Sequence, residues 1–492
     1  MYASRTTTLA ATALILLAAC DAPQAPVAAE AAPDPLIAKV ETSLASSGQV
    51  VGEPAETWSL TDRMAHYNIP GVSIAVIKDG KIAWEKSYGV LDAGATTPVN
   101  ADTIFLAGSI SKPTAVTAAL RMVEQGQLSL DAPINDFLKS WKLPDNDFTK
   151  QKPVTPRLIM SHGAGLTVHG FPGYAAGAAI PTVPQILDGV PPANTAAVRV
   201  DKLPGESWRY SGGGTTILQL AMTDVSGKDF PTLTNDLVLA PAGMTRSSYV
   251  NPLPETNRAN AATAHHSNGT VVPGHSHTYP EMAAAGLWTT PGDLARLALK
   301  VVAAARSDKD ALLGPDITKQ MLTTQIGTWG LGFELDAMSD GQVFSHGGSD
   351  EGFEAFLFSY TDGHGGAAIM TNGQNGGALV SEIRVALASA YGWAYGAPDM
   401  REAITLTPES AALFAGDYLI TDLPQPMTLT VTADGDKLWS EVPPVSPKQR
   451  LYVASGDKAF ALTSPTLSYT TNKDGRVETI EVAPGLFAKR KP

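Results

Sequence analysis

At 492 residues the chain is too long for one ordinary domain and long enough for two or more, each with its own core. Apolar side chains make up 44% and charged ones 17%, the balance of a globular protein and not of a disordered one. A formal charge of −13 without a basic run argues against a nucleic-acid binder, and one cysteine excludes internal disulfides and cysteine-rich metal sites.

Arg5 precedes a largely apolar run from Leu9 to Ala19, which has the length of a signal-peptide core and is too short to cross a bilayer. It ends in Leu17-Ala18-Ala19-Cys20, which resembles the lipobox of bacterial lipoproteins. That resemblance implies a lipoprotein signal over residues 1–20, lipidation at Cys20, export, and a periplasmic chain anchored to a membrane through its lipid. Residues 21–36 are rich in Ala and Pro and read as a tether.

Folded sequence is expected from residue 37 to residue 397. Gly71–Lys78 and Lys81–Val90 read as strands joined across Asp79-Gly80, a hairpin signal. A helix should begin near Ser109, with Val116, Leu120 and Val123 on its buried stripe. Helical and loop patterns dominate from Gln127 to Gly286, and Leu294–Ala305 is a further helix. Strand signals return at Gln342–Ser345, Glu354–Tyr360 and Ala367–Thr371, and Val380–Tyr391 closes the unit as a helix. The expected fold is α/β of the α+β kind: an antiparallel sheet flanked by helices, with a helical subdomain. Residues 403–492 alternate in strand fashion between Asp-Gly turns and read as a small all-β barrel or sandwich.

The stretch with chemistry is Leu106-Ala107-Gly108-Ser109-Ile110-Ser111-Lys112-Pro113. Positions three apart share a helix face, so the Lys112 amine would lie beside the Ser109 hydroxyl. A serine needs a neighbour to take its proton, and a desolvated lysine has its pKa lowered toward that task. The amide of a residue at a helix start is also placed to stabilise an oxyanion. Ser455-Gly456-Asp457-Lys458 shows the same spacing and reads as a surface turn.

Ser109 has companions at Tyr210-Ser211-Gly212 and at His346-Gly347-Gly348-Ser349, supported by Leu158–Leu166 (LIMSHGAGL) and Ala285–Ala295 (AGLWTTPGDLA). Together they resemble, in order, the motifs of the serine β-lactamase and penicillin-binding-protein superfamily. The likeness is to its class C side, shared with D-aminopeptidases, D-Ala-D-Ala carboxypeptidases and family VIII esterases. The resemblance covers roughly residues 36–393 and implies a β-lactamase/transpeptidase-like fold.

It also implies roles. Ser109 is the nucleophile, Lys112 and Tyr210 move protons, and the amides of Ser109 and Ser349 hold the oxyanion at the Gly347-Gly348 edge. His346 stands where many members carry lysine, which weakens attraction for a substrate carboxylate. Gly212 replaces the family asparagine. His162 and Asp293 take scaffold roles, and the last ninety residues resemble the lipocalin-like domain of some members.

A Ser-His-Asp hydrolase is disfavoured because no Gly-x-Ser-x-Gly elbow occurs. A metal hydrolase is disfavoured because His265, His266, His275 and His277 cluster without a His-Glu-x-x-His motif and read as solvated loop residues. No cofactor or metal is expected. The resulting expectation is a serine hydrolase working through an acyl-enzyme on D-amino-acid peptides, cell-wall fragments or small esters. The alternatives are a β-lactamase, or a lipoprotein that binds peptidoglycan or β-lactam without turnover. The sequence leaves the oligomeric state open.

Overall fold

The computed structural model describes residues 1–2, 35–462 and 466–491. The signal peptide, Cys20 and nearly all of the tether lie outside the described residues. Pro35 and Leu36, read as the end of that tether, already open a helix, Pro35–Thr42, where proline suits the first helical position.

Strands β1 (Gly71–Lys78) and β2 (Lys81–Gly89) form the expected hairpin. Asp79 and Gly80 have φ of +52° and +74°, the two left-handed residues that a two-residue hairpin turn needs. A 3-10 turn at Gly108–Ile110 then runs into helix α1 (Ser111–Glu124). Val116 and Leu120 are buried as expected, but Val123 is only half-buried, and Thr114, Ala115, Thr117, Ala118 and Ala119 are buried too. Because the helix is enclosed on every side over its first turns, a one-sided stripe describes it poorly.

Helices α2 (Gly212–Ser226), α3 (Met282–Ala285) and α4 (Pro291–Ala305) follow. Then come strands β3 (Glu334–Met338), β4 (Gly341–Asp350), β5 (Phe353–Tyr360) and β6 (Gly365–Thr371), and helix α5 (Gly376–Tyr391). The six strands make one sheet in the order β2-β1-β6-β5-β4-β3. Every pairing in it is antiparallel. Strands from both ends of the unit therefore meet at its centre, where β1 and β6 are buried on both faces.

One face packs Ile74, Val76, Phe358 and Ile369 against Ile383 and Leu387 of α5. The other packs Ala75, Ile77 and Ala368 against Leu294 and Val301 of α4 and, beyond them, the helical region around α1.

Two details differ from the expectation. The edge strand β3 was not read, because Glu-Leu-Asp-Ala-Met is charged and short. Strand β4 does not stop at Ser345 but continues through both glycines to Asp350, paired throughout with β5. Strand β3 reaches only Ser345, so residues 346–350 of β4 have a strand neighbour on one side alone. A free backbone edge results, open to an extended ligand.

Beyond Asp399–Arg401, which pairs in parallel with Gly48–Val50, the chain closes into an eight-stranded antiparallel barrel. It runs from Gly416–Ile420 to Leu486–Arg490, each strand beside its chain neighbour and the last beside the first. This is a lipocalin-like barrel, filled by Tyr418, Leu429, Val431, Leu438, Leu451, Val453 and Ile480.

Candidate active site

The Ser109 turn is pinned from several directions. Ala107 donates its amide to the Leu287 carbonyl at 2.9 Å. The Ser111 hydroxyl donates to the Gly108 carbonyl at 2.6 Å and accepts the Leu287 amide at 3.0 Å. The Tyr249 hydroxyl donates to the Ser111 carbonyl at 2.6 Å. A turn held this way keeps Ser109 at the mouth of a pocket and Lys112 one helical step behind it.

Lys112 is 2% exposed. Its Nζ donates to Ser109 Oγ at 2.9 Å and to the Ala284 carbonyl of α3 at 2.8 Å. Burial lowers the amine's pKa to about 7, against the opposing pull of the Asp350 carboxyl. Near neutral pH a substantial share of the amine is therefore free to accept a proton.

Tyr210 immediately precedes Ser211, the N-cap of α2, whose hydroxyl accepts the Gly214 amide at 2.9 Å. His162 fixes this corner: its Nδ1 accepts the Ser211 amide at 3.2 Å, and its ring lies 4.2 Å from that of Tyr210. Lys112 Nζ is 4.9 Å from the centre of the Tyr210 ring. Burial pushes the phenol's pKa up, while its hydrogen-bonding contact with Ser109 pulls it down. The resting phenol is neutral, which suits relaying a proton more than starting as a phenolate.

His346 lies on the free edge of β4, 4% exposed. Its Nδ1 meets the Gly347 carbonyl at 2.5 Å, and its Nε2 has no hydrogen-bond partner. Burial and then Lys112 lower its pKa to about 3, with the Gly347 carbonyl opposing. The imidazole is therefore neutral at pH 7, with Nδ1–H donating and a bare acceptor at Nε2.

Two glycines, Gly348 on the edge and Gly108 in the turn, serve contact. A Cβ on Gly348 would sit 2.0 Å from the Ala107 carbonyl oxygen, and one on Gly108 would sit 2.4 Å from the Ser349 amide nitrogen. Strand and turn thus touch backbone to backbone, and side chains at these positions would force them apart.

The catalytic and oxyanion residues read from the sequence converge. Ser109, Tyr210, His346, Gly347, Gly348 and Ser349 line one pocket, with Lys112 beneath it. Its walls add His169, Trp329, Glu334 and Arg384, which the sequence reading missed because none belongs to a short motif. His169 and Trp329 pack against the Tyr210 ring at 4.8 and 5.7 Å.

At Gly212 a Cβ would meet the His169 carbonyl oxygen at 3.0 Å and the Phe171 ring at 3.1 Å, so the loop occupies the space that an asparagine would need. Asp293 is a scaffold residue, taking hydrogen bonds from Arg246, Ser247 and Arg296.

One correction concerns the histidine cluster. His265 is fully buried, with Nδ1 on the Asn372 carbonyl at 2.8 Å and Nε2 accepting the Ala93 amide at 3.0 Å. Its loop is fastened to the end of β6, which a local composition of Gly, Ser and Asn does not reveal. Among the described residues no group of three or more His, Cys, Asp or Glu side chains is arranged to hold a metal ion.

The sequence profile of the family described as Beta-lactamase matches residues 59–391. The chain belongs to the beta-lactamase family.

Relatives within reach of sequence comparison include Esterase EstB of Burkholderia gladioli, 27% identical over 38% of this chain and 48% of the relative. Penicillin-binding protein 4 of Amycolatopsis lactamdurans is 26% identical over 37% of this chain and 45% of the relative. The chain spans about half the length, or less, of the curated relatives it matches. Among solved structures, the octameric penicillin-binding protein homologue from Pyrococcus abyssi superposes with a TM-score of 0.58 at 20% identity. That match covers 87% of this chain and 98% of the other. D-amino acid amidase from Ochrobactrum anthropi SV3 gives 0.57 at 19% identity, over 73% of this chain and 99% of the other. At such identities these structures speak to the beta-lactamase fold alone.

Proposed function

We propose that this protein is a serine hydrolase that cleaves amide or ester bonds through an acyl-enzyme. The observation that carries the reading is the 2.9 Å hydrogen bond between Lys112 Nζ and Ser109 Oγ, with the amine buried and its pKa lowered to about 7. Ser109 Oγ attacks the carbonyl while Lys112 takes its proton. The backbone amides of Ser109 and Ser349 receive the oxyanion, each such donor contributing about 3 kcal/mol to the transition state. Lys112 and Tyr210 then return the proton to the leaving group and activate the water that releases the acyl group.

For the substrate, the neutral His346 favours acyl groups without a carboxylate beside the scissile bond, and it presents an acceptor to an N–H donor. Small esters and D-amino-acid peptides or amides fit this character better than β-lactams do, in keeping with an esterase among the relatives and an amidase among the solved structures. Steady-state hydrolysis of p-nitrophenyl acetate and D-alanyl p-nitroanilide by wild type and Ser109→Ala tests the reading. Turnover abolished in the variant supports it. A single stoichiometric burst from wild type would make the protein a peptidoglycan or β-lactam binder instead. Anchoring through Cys20 is proposed alongside, and Cys20→Ser should release the protein from the membrane fraction.

A further inference from the structure

The pocket at Ser109 does not stop at the edge of β4. Side chains alternate along a strand, so Gly348 lies against the Ala107 carbonyl of the Ser109 turn, whereas Gly347 and Ser349 face the side of the sheet that α5 covers. There a Cβ on Gly347 would lie 3.6 Å from the Phe356 ring, and Ser349 Oγ donates to Glu354 Oε1 at 2.7 Å. The pocket wraps the free edge and continues on this second side, walled by Glu354 and Phe356 of β5 and by Val380, Ser381 and Arg384 of α5.

Arg384 is the cation of that second half. Its guanidinium carbon lies 4.1 Å from the centre of the Phe356 ring and 4.9 Å from that of Tyr395. The side chain is thus held in place by two rings and not by an acid. Its Nε is buried without a hydrogen-bond partner, and among the described residues the guanidinium forms no ion pair. Arg63, Arg157 and Arg246 are half-buried too, but each pairs with a carboxylate.

The carboxyls nearby are engaged elsewhere. Glu334 accepts the Thr328 hydroxyl at 3.0 Å, and Glu354 accepts the Ser349 hydroxyl. Burial holds the Glu354 carboxyl up at about 7, with that hydroxyl opposing, so near neutral pH it is only partly charged. Asp336 of β3 is near enough for Arg384 to oppose the rise that burial gives it, without pairing with it. A half-buried guanidinium with donors to spare is costly to keep unless an anion completes it.

We propose that Arg384 determines specificity by binding a carboxylate of the substrate, set back from the scissile carbonyl by about two residues of extended chain. The spacing follows from register. Phe356, on which Arg384 stacks, pairs with Gly347, and Gly347 precedes the oxyanion residue Ser349 by two positions, or about 7 Å along the strand. The fork of a guanidinium matches a carboxylate with two parallel hydrogen bonds. The proposal rests on the reading of Ser109 as nucleophile and narrows its substrate class. The neutral His346 places no charge beside the reacting carbonyl, and Arg384 places one farther out, so acidic peptides or esters are favoured over neutral ones.

The test is kcat/KM of the full chain on two matched pairs of esters. Mono-p-nitrophenyl adipate and p-nitrophenyl hexanoate carry or lack a carboxylate at the far end of the same acyl chain. 3-Carboxyphenyl acetate and phenyl acetate do so on the leaving group. In at least one pair the wild type should prefer the carboxylate member. Arg384→Met should lower kcat/KM for that member about tenfold or more, chiefly through KM, and leave its neutral partner within about twofold. Arg384→Lys should keep part of the preference, since an ammonium has the charge without the fork.

Arg384→Met that leaves both preferences unmoved, or that lowers both members of a pair equally, overturns the proposal. If the variant does not fold, the wild type decides: equal kcat/KM for the two members of each pair overturns it. Should Ser109→Ala keep wild-type turnover, the nucleophile assignment falls and takes the role of Arg384 with it. An inactive Ser109→Ala beside an unmoved Arg384→Met removes Arg384 alone.

Discussion

The hydrolase unit and the barrel differ most in what they bury. Lys112, His346, Asp350, Glu281 and Asp293 are each less than a tenth exposed in the first, whereas among the described residues of the barrel Ser440 is the lone buried polar side chain. Burying charge costs stability, so a fold keeps it either where partners compensate it fully or where chemistry uses it. Asp293 is of the first kind, surrounded by two arginines and a serine. Lys112 is the candidate for the second kind, hydrogen-bonded beneath the candidate nucleophile. The described part of the barrel follows the ordinary rule of an apolar interior.

Lys112→Met strikes this contrast where it is strongest. Removing the proposed general base should lower kcat/KM on the order of 10³-fold. The same change should raise stability. The folded amine has a pKa of about 7 against an ordinary 10.5, so between those values the unfolded chain binds more protons, and wild-type stability rises with pH across that window. The methionine variant should lose this slope and melt higher at pH 7, as thermal scans at pH 7 and pH 9.5 would read. A variant that melts lower at pH 7 would mean that the buried amine stabilises the fold.

Gly348→Ala comes next. Its Cβ would lie 2.0 Å from the Ala107 carbonyl oxygen, a backbone atom that cannot swing aside. Strand and turn must separate, taking the Ser349 amide from the Ser109 amide, and loss of one oxyanion donor lowers kcat on the order of 10²- to 10³-fold. KM should change far less. Wild-type kcat in this variant would show that the edge does not hold the oxyanion.

Much of the site was legible because its chemistry is local in sequence. Ser109 and Lys112 are one helical step apart, and Tyr210 and His346 lie in short motifs with a fixed order. The hairpin at Asp79-Gly80 and the strands flanking Asp434-Gly435 were legible for the same reason. What escaped depends on distant packing. Asp350 and Glu281 are ordinary surface residue types in any window of sequence, and only the alternation of β4 and the docking of α3 bury them. The continuation of β4 past Ser345 escaped because Gly347-Gly348 looks like a strand end, although its pairing with β5 persists to Asp350. His265 was misread as solvated because its partners, the Ala93 amide and the Asn372 carbonyl, are 172 and 107 residues away.

The barrel provides the control. Leu438 is fully buried in its lumen, and Leu438→Ala should cost about 2–5 kcal/mol of barrel stability, depending on how far the cavity collapses. If the two regions divide labour as their interiors suggest, kcat/KM at 25 °C stays within about twofold while the barrel's melting transition falls. A parallel collapse of activity would tie the barrel to the cleft.

The smallest expected effect is the most telling about motifs. Ser455 and Lys458 repeat the spacing of Ser109 and Lys112, but both are exposed, and Lys458 Nζ donates to Ser468 Oγ at 2.7 Å across the strand pair. Lys458 is exposed where Lys112 is 2% exposed, so the two pairs share spacing but not burial. Ser455→Ala should therefore leave activity unchanged and stability within about 0.5 kcal/mol of wild type. Fluorophosphonate labelling should stop with Ser109→Ala and continue with Ser455→Ala. Label at Ser455 would mean that spacing alone activates a serine, whereas the contrast between the two sites attributes activation to desolvation of the lysine and to the second strand of backbone pressed against the turn.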